Sequence, residues 1–188
     1  SDPFPYVFEC DTPPTSLGGA LEWAKVNAGE FSPLASRHGA ILFRGFGLET
    51  AEDFDGFIQA CGVSNFTYQD SLSNAVRRNF TERVFSANEA PPDVKILLHH
   101  EMAQTPLFPA KLFFFGLKPA DSGGATPLCR SDWLYRDMAG ELPEFLGVVE
   151  RLGLRYTNVM PAEDDPNSGL GRSWKSTFSA TERDEVEA

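Results

Sequence analysis

Cysteine, histidine and positive charge are all scarce in this chain of 188 residues, and each shortage closes off a class of protein. The three cysteines, at 10, 61 and 129, stand far apart with no C-x-x-C pair, so the sequence offers neither a disulfide framework nor a zinc knuckle. They read as buried thiols of a cytoplasmic protein, Cys129 as a small apolar filler on a strand. Sixteen Lys and Arg against 27 Asp and Glu give a net charge of -11, the wrong sign for gripping a phosphate backbone, which excludes a nucleic-acid partner. No apolar run approaches the ~20 residues that span a bilayer, so no membrane span is expected. Ser1-Asp-Pro opens without a charged-then-apolar leader, and the expectation is a cytoplasmic protein acting on a small molecule. Internal repeats are also missing.

What is present suits a packed core. The chain is 41% hydrophobic and 12% aromatic, ample for a single domain over residues 1–188, and sixteen Phe suggest sheets packed face to face. Leu17, Leu21 and Ala24 recur at helical spacing, and Ser36-Arg-His-Gly39 reads as a helix end, with basic residues in the last turn and a glycine stop. That reading leaves His38 a structural residue rather than a metal ligand. Gly39-Ala-Ile-Leu-Phe-Arg-Gly45 is predicted as a buried strand. Thr50-Ala-Glu-Asp53 has the form of a capping box opening a helix whose Phe54, Phe57 and Ile58 share one face.

Residues 63–87 are polar and irregular, and they are read as a wall or lid over a site. Further strands are expected at Val94–Leu98, Lys111–Leu117, from Thr126, and at Gly153–Met160. Two helices, Ser131–Ala139 and Leu142–Leu152, follow the Thr126 strand, the second with a core-facing stripe of Leu146, Val149 and Leu152. The sequence closes on Ala180–Ala188, the opening of a helix without an apolar face.

Chemistry concentrates at His99-His100-Glu101. On a strand, residues two apart point to one side, about 6.5 Å apart along the backbone, so His99 and Glu101 converge on one ion. Such a pair supplies two ligands of a 2-His-1-carboxylate facial triad, the arrangement that leaves open positions on non-haem Fe(II). Downstream, Lys111-Leu-Phe-Phe-Phe-Gly-Leu117 precedes the turn Gly123-Gly-Ala-Thr126.

This order, with His38-Gly-Ala-Ile-Leu-Phe-Arg-Gly-Phe46, Asn88-Glu-Ala-Pro-Pro92, His99-His-Glu-Met-Ala-Gln104 and Gly171-Arg-Ser-Trp-Lys-Ser-Thr-Phe178, resembles the Fe(II)- and 2-oxoglutarate-dependent oxygenases of the taurine dioxygenase and clavaminate synthase-like family. The resemblance implies an α+β chain built on a double-stranded β-helix, or jelly roll, with flanking helices. It also implies His99 and Glu101 as metal ligands, Thr126 as the hydroxyl that binds a carboxylate of 2-oxoglutarate, and O2 as co-substrate. Glu101 itself favours hydroxylation, because related halogenases carry a small residue there.

The resemblance has a gap. The family's third ligand is a His well beyond the Gly-Gly-x-Thr turn, with a 2-oxoglutarate-binding Arg further on, whereas this chain has His only at 38, 99 and 100. A jelly roll incomplete at its C-terminus is the reading adopted. A catalytically inactive relative acting as a binding protein and a cupin-like metal-dependent hydrolase or isomerase are the alternatives. Finally, Asp164–Ser176 is Gly-rich and brings Arg172 and Lys175 together, a clamp for a small, anionic substrate.

Overall fold

The computed structural model describes residues 2–10, 16–65, 73, 75, 77–87, 95–165, 168 and 171–187. They fall into two compact units, the first made of Ser1–Thr67, Arg77–Ala87 and Ala110–Pro119, the second of Tyr68–Val76, Asn88–Pro109 and Ala120–Ala188.

In the first unit, strand β1 (Tyr6–Glu9) pairs in parallel with β2 (Ile41–Arg44), in the register Tyr6 to Ile41 through Glu9 to Arg44. Parallel partners need a long crossover, and helix α1 (Leu17–His38) provides it. The Ser16 side chain accepts a hydrogen bond from the Gly19 amide at 3.4 Å to open α1, and Gly39 at φ 79° ends it, as the sequence predicts. His38 is buried at that stop, its Nδ1 2.9 Å from the Pro3 carbonyl oxygen. Helix α2 (Ala51–Ala60) carries the expected capping box: the Asp53 amide donates to Thr50 Oγ1 at 3.1 Å, and the Thr50 amide donates back to Asp53 Oδ2 at 3.0 Å.

Ala20 and Ala24 of α1 are fully buried, which lets the helix sit close over a nest of rings. Phe43 of β2 stacks on Phe8 at 5.6 Å between centroids and meets Phe31 and Phe57 edge-on at 5.2 and 5.5 Å. Each edge-on pair adds about 0.5–1.5 kcal/mol beyond its buried area. These phenylalanines pack between one βαβ unit and α2, so the expectation of two sheets facing each other is corrected here. Phe54, on the same face as Phe57 and Ile58, stacks on Phe115.

The second unit holds α3 (Ser131–Glu141), α4 (Pro143–Leu152), α5 (Trp174–Phe178) and α6 (Arg183–Glu187). Pro143 starts α4 where no amide hydrogen bond is lost, and Gly153 at φ 72° stops it. The predicted helices are therefore present. The apolar stripe of α4 is not core, however: no residue of α3 or α4 is buried, and Leu152 is 71% exposed.

The later strands also need correction. Among the described residues, 95–98, 111–117, 126–130 and 153–160 form no ladder, and Ile96, Leu97, Leu98, Leu112, Phe114 and Val159 are exposed. An apolar run becomes a strand only when a neighbour takes up its amides and carbonyls. Apart from β1 and β2, pairing is confined to an isolated antiparallel bridge between Asn79 and Phe85. The described residues are thus helices with a small parallel sheet, and they do not build a jelly roll. Cys129 is exposed and lies on no strand, Cys10 is half-buried, and of the three thiols only Cys61 is buried as expected.

Of the proposed lid, residues 66–72, 74 and 76 lie outside the described residues, as do Asn88–Pro92. Residues 77–87 belong to the first unit, where Arg83 reaches Asp55 of α2 at 3.4 Å. No helix among the described residues is long and apolar enough to cross a membrane.

Candidate metal centre

His99 and Glu101 do meet, by a route other than the one their spacing suggests. The segment before them is unpaired coil, and the chain then turns, with the Ala103 amide donating to the His100 carbonyl at 3.3 Å. Met102 sits in the turn at φ 60°, a left-handed conformation rare outside glycine, and the residue is 3% exposed. The Met102 carbonyl accepts from both the amide and the hydroxyl of Thr105, each at 3.0 Å. Burial and these two bonds hold a strained residue directly beside a candidate ligand, the setting in which such strain is commonly stored.

The turn brings His99 Nε2 to 3.7 Å from Glu101 Oε2. The other ring nitrogen, Nδ1, is 2.7 Å from the Leu97 carbonyl oxygen. A carbonyl only accepts, so Nδ1 carries a proton, and in the neutral ring Nε2 presents its lone pair toward Glu101. Metal-binding histidines are oriented by just such a second hydrogen bond. Two ligand atoms each about 2.1 Å from an ion at right angles lie about 3 Å apart, so less than an ångström of movement converts this pair into two ligands. The carboxylate side chain is 15% exposed and the imidazole 57%, which leaves the approach to Nε2 open. The donor set fits a divalent ion of intermediate softness, iron(II) included. Among the described residues no group of three His, Cys, Asp or Glu side chains converges on one point, so the pair stands without a third such ligand there.

His100 faces elsewhere, its Nε2 hydrogen-bonded to Ser131 Oγ at the start of α3. That bond ties the motif to the segment that carries Thr126, five residues earlier. In the turn before Thr126, Gly123 and Gly124 have φ of 68° and 70°, and a Cβ on Gly124 would stand 2.7 Å from the Ala120 Cβ. Gly124 is therefore required by backbone and space together, and Gly123 by its backbone alone. Thr126 itself is exposed.

The two proposed clamp cations are already engaged. Arg172 donates through Nε to Ser176 Oγ at 3.0 Å, through one terminal nitrogen to the Ser176 carbonyl at 2.8 Å, and through the other to the Ser73 carbonyl at 3.1 Å. Burial lowers its pKa, and Asp164 nearby partly restores it. Lys175 Nζ pairs with Glu163 Oε1 at 2.9 Å and lies 5.9 Å from the Trp174 ring centre. Helix α5 is pinned in turn: the Ser173 amide donates to Asp164 Oδ1 at 2.7 Å, and the Trp174 amide to the Pro161 carbonyl at 3.1 Å. Bonds from the Ser173 amide and hydroxyl hold the Asp164 carboxyl below its usual range. Sequence reasoning did not find the Met102 turn, the His100–Ser131 bond or the groove beside α5. None of the three follows from a motif, and only Gly171, where a Cβ would fall 1.8 Å from the Asp165 carbonyl oxygen, hints at tight packing there.

Residues 15–186 match the Taurine catabolism dioxygenase TauD, TfdA family, and the chain belongs to that family. It is similar to a clavaminate synthase-like protein of Arabidopsis thaliana, 40% identical over 183 residues that make up 95% of this chain and 55% of the plant protein. It is also similar to the dapdiamide synthesis protein DdaC of Enterobacter agglomerans, 26% identical over 154 residues, 82% of this chain and 44% of that one. The chain spans about half the length of the curated relatives it matches.

Proposed function

We propose that the protein is a non-haem Fe(II)- and 2-oxoglutarate-dependent dioxygenase that hydroxylates or otherwise oxidises a small organic substrate in the cytoplasm, releasing succinate and CO2. Membership of a dioxygenase family supports the class of reaction and the jelly roll that goes with it. The observation that carries the assignment is His99 held by the Leu97 carbonyl so that its Nε2 faces Glu101. Ferrous iron with 2-oxoglutarate and O2 supplies an oxidant strong enough to take hydrogen from a C–H bond.

The residues of this chain have the other roles. His99 and Glu101 hold the ion, and the buried Met102 turn keeps their donor atoms facing each other before any ion arrives. Thr126, delivered by the Gly123-Gly124 turn, gives its hydroxyl to a carboxylate of 2-oxoglutarate. Lys175 takes an anionic group of the substrate by exchanging Glu163 for it, and Arg172 keeps α5 in place while adding positive charge on the same side.

Iron(II) and 2-oxoglutarate added to the protein without oxygen test this directly. A weak visible charge-transfer band is expected from the chelate, and it should vanish in Glu101→Ala. No band from folded protein carrying its full natural sequence would replace this reading with that of an inactive relative that binds its ligand without turning it over. The lack of a third His, Cys, Asp or Glu beside the pair among the described residues is what keeps that second reading in play.

A further inference from the structure

An open groove of about 510 Å³ lies in the second unit. Gln104 and Thr105 form one wall, Asn158 and Met160 another, and Trp174 and Phe178 of α5 the third. Its size is that of a small-molecule site. In a chain with net charge -11, the residues lining it are all neutral. Two aromatic rings and a thioether offer faces for a flat apolar body. Two amides add donors and acceptors without charge, and the Thr105 hydroxyl, its proton given to a backbone carbonyl, adds an acceptor.

The walls are built rather than incidental. Trp174 is tied to the 158–161 segment by its amide bond to the Pro161 carbonyl, and Arg172 secures the turn of α5 through Ser176. Thr105 is anchored to the Met102 carbonyl by amide and hydroxyl. Gln104 is three steps along the chain from Glu101, so even fully extended backbone would place its Cα within about 11 Å of the Cα of the candidate ligand.

We infer that this groove is the subsite for the neutral, flat part of the substrate, an aromatic or similarly planar apolar body bearing an amide or other uncharged hydrogen-bonding group. The inference rests on the dioxygenase reading for the word substrate and on the groove alone for the binding. Lys175 Nζ lies 5.9 Å from the centre of the Trp174 ring, close enough to that wall to attract an acidic group on the same molecule. A compact anion without such a body has no use for the rings.

Phenylacetamide is a suitable flat, neutral probe, and methanesulfonate a compact anionic one. Each is titrated into the full chain without iron or 2-oxoglutarate, following the indole N–H proton signal of Trp174, identified by its loss in Trp174→Phe. Phenylacetamide should move that signal in a saturable way, methanesulfonate should not, and at least one of Gln104→Ala and Asn158→Ala should weaken the binding three-fold or more. Both side chains are exposed, so the fold is not at risk, and far-UV circular dichroism checks it. No saturable shift, an equal shift from methanesulfonate, or unchanged binding in both variants overturns the inference. Because no metal is present, a failed charge-transfer test leaves this result standing, and the reverse holds as well.

Discussion

At the scale of single residues, the arrangement makes different demands on each side chain. On the proposed reading Glu101 completes a metal pair, so Glu101→Ala should abolish succinate formation in an active preparation; turnover at the wild-type rate would remove it from the site. On the same proposal Thr126 holds one carboxylate, and a hydrogen bond to a charged group is worth about 1.5–3 kcal/mol. Thr126→Val should therefore raise the 2-oxoglutarate requirement about ten- to a hundred-fold with a smaller effect on the maximal rate, measured as succinate released against co-substrate concentration. The thiols should separate by environment. Burial pushes Cys61 up to about 11, while Cys129 is exposed. The thiolate is the reacting form. An aromatic disulfide reagent at neutral pH should label Cys129 first and Cys61 only on unfolding, and early labelling of Cys61 would contradict its burial.

At the scale of elements, local rules were readable in the sequence and long-range pairing was not. Ser36-Arg-His-Gly39 and Thr50-Ala-Glu-Asp53 announced a helix stop and a helix start because caps are settled within four residues, and both are found where expected. Thr50→Ala removes one half of such a cap and should cost about 1 kcal/mol, read as a lower urea midpoint with an unchanged slope. The strands predicted at Val94–Leu98, Lys111–Leu117 and Gly153–Met160 rested on apolar runs, and a run does not specify which segment will hydrogen-bond to it. β1 was overlooked for the same reason: Tyr6–Glu9 is four residues long and is made a strand by its parallel partner. The meeting of His99 and Glu101 was legible in the H-x-E spacing, although its geometry comes from the Met102 turn, whose left-handed residue no composition rule would place. Gly124 belongs to the legible part. Gly124→Ala combines a left-handed cost of about 1–2 kcal/mol with a 2.7 Å approach to Ala120, and it should destabilise the Thr126 turn measurably in the same urea assay.

At the scale of the whole molecule, the excess of acid groups sets two opposing responses to pH. Lowering the pH from neutral reduces the net charge of -11 and relieves self-repulsion. Several carboxyls work the other way, because the fold holds them below their ordinary values. Asp53 is lowered by the amides of Glu49 and Thr50, Asp164 by Ser173, and Asp2 by its bond from Arg37. A carboxyl with a depressed native pKa binds fewer protons folded than unfolded. Its contribution is complete well above the unfolded value near 3.8 and is lost as the pH falls through the lower native value. Above about pH 5 the repulsion term should leave stability level or slightly rising, and below the ordinary carboxylate value the fold should weaken. Trp23 lies in the first unit with Asp53, and Trp133 and Trp174 lie in the second with Asp164, so fluorescence can report the two units separately. With Trp133 and Trp174 replaced by Phe, Asp53→Asn should shrink the acid-induced loss seen at Trp23, and with Trp23 replaced instead, Asp164→Asn should do so at the other two. Urea midpoints at about pH 6 and about pH 3.5 decide it: a midpoint that holds or rises at the lower pH in the unsubstituted protein would mean that charge repulsion outweighs the carboxylate bonds.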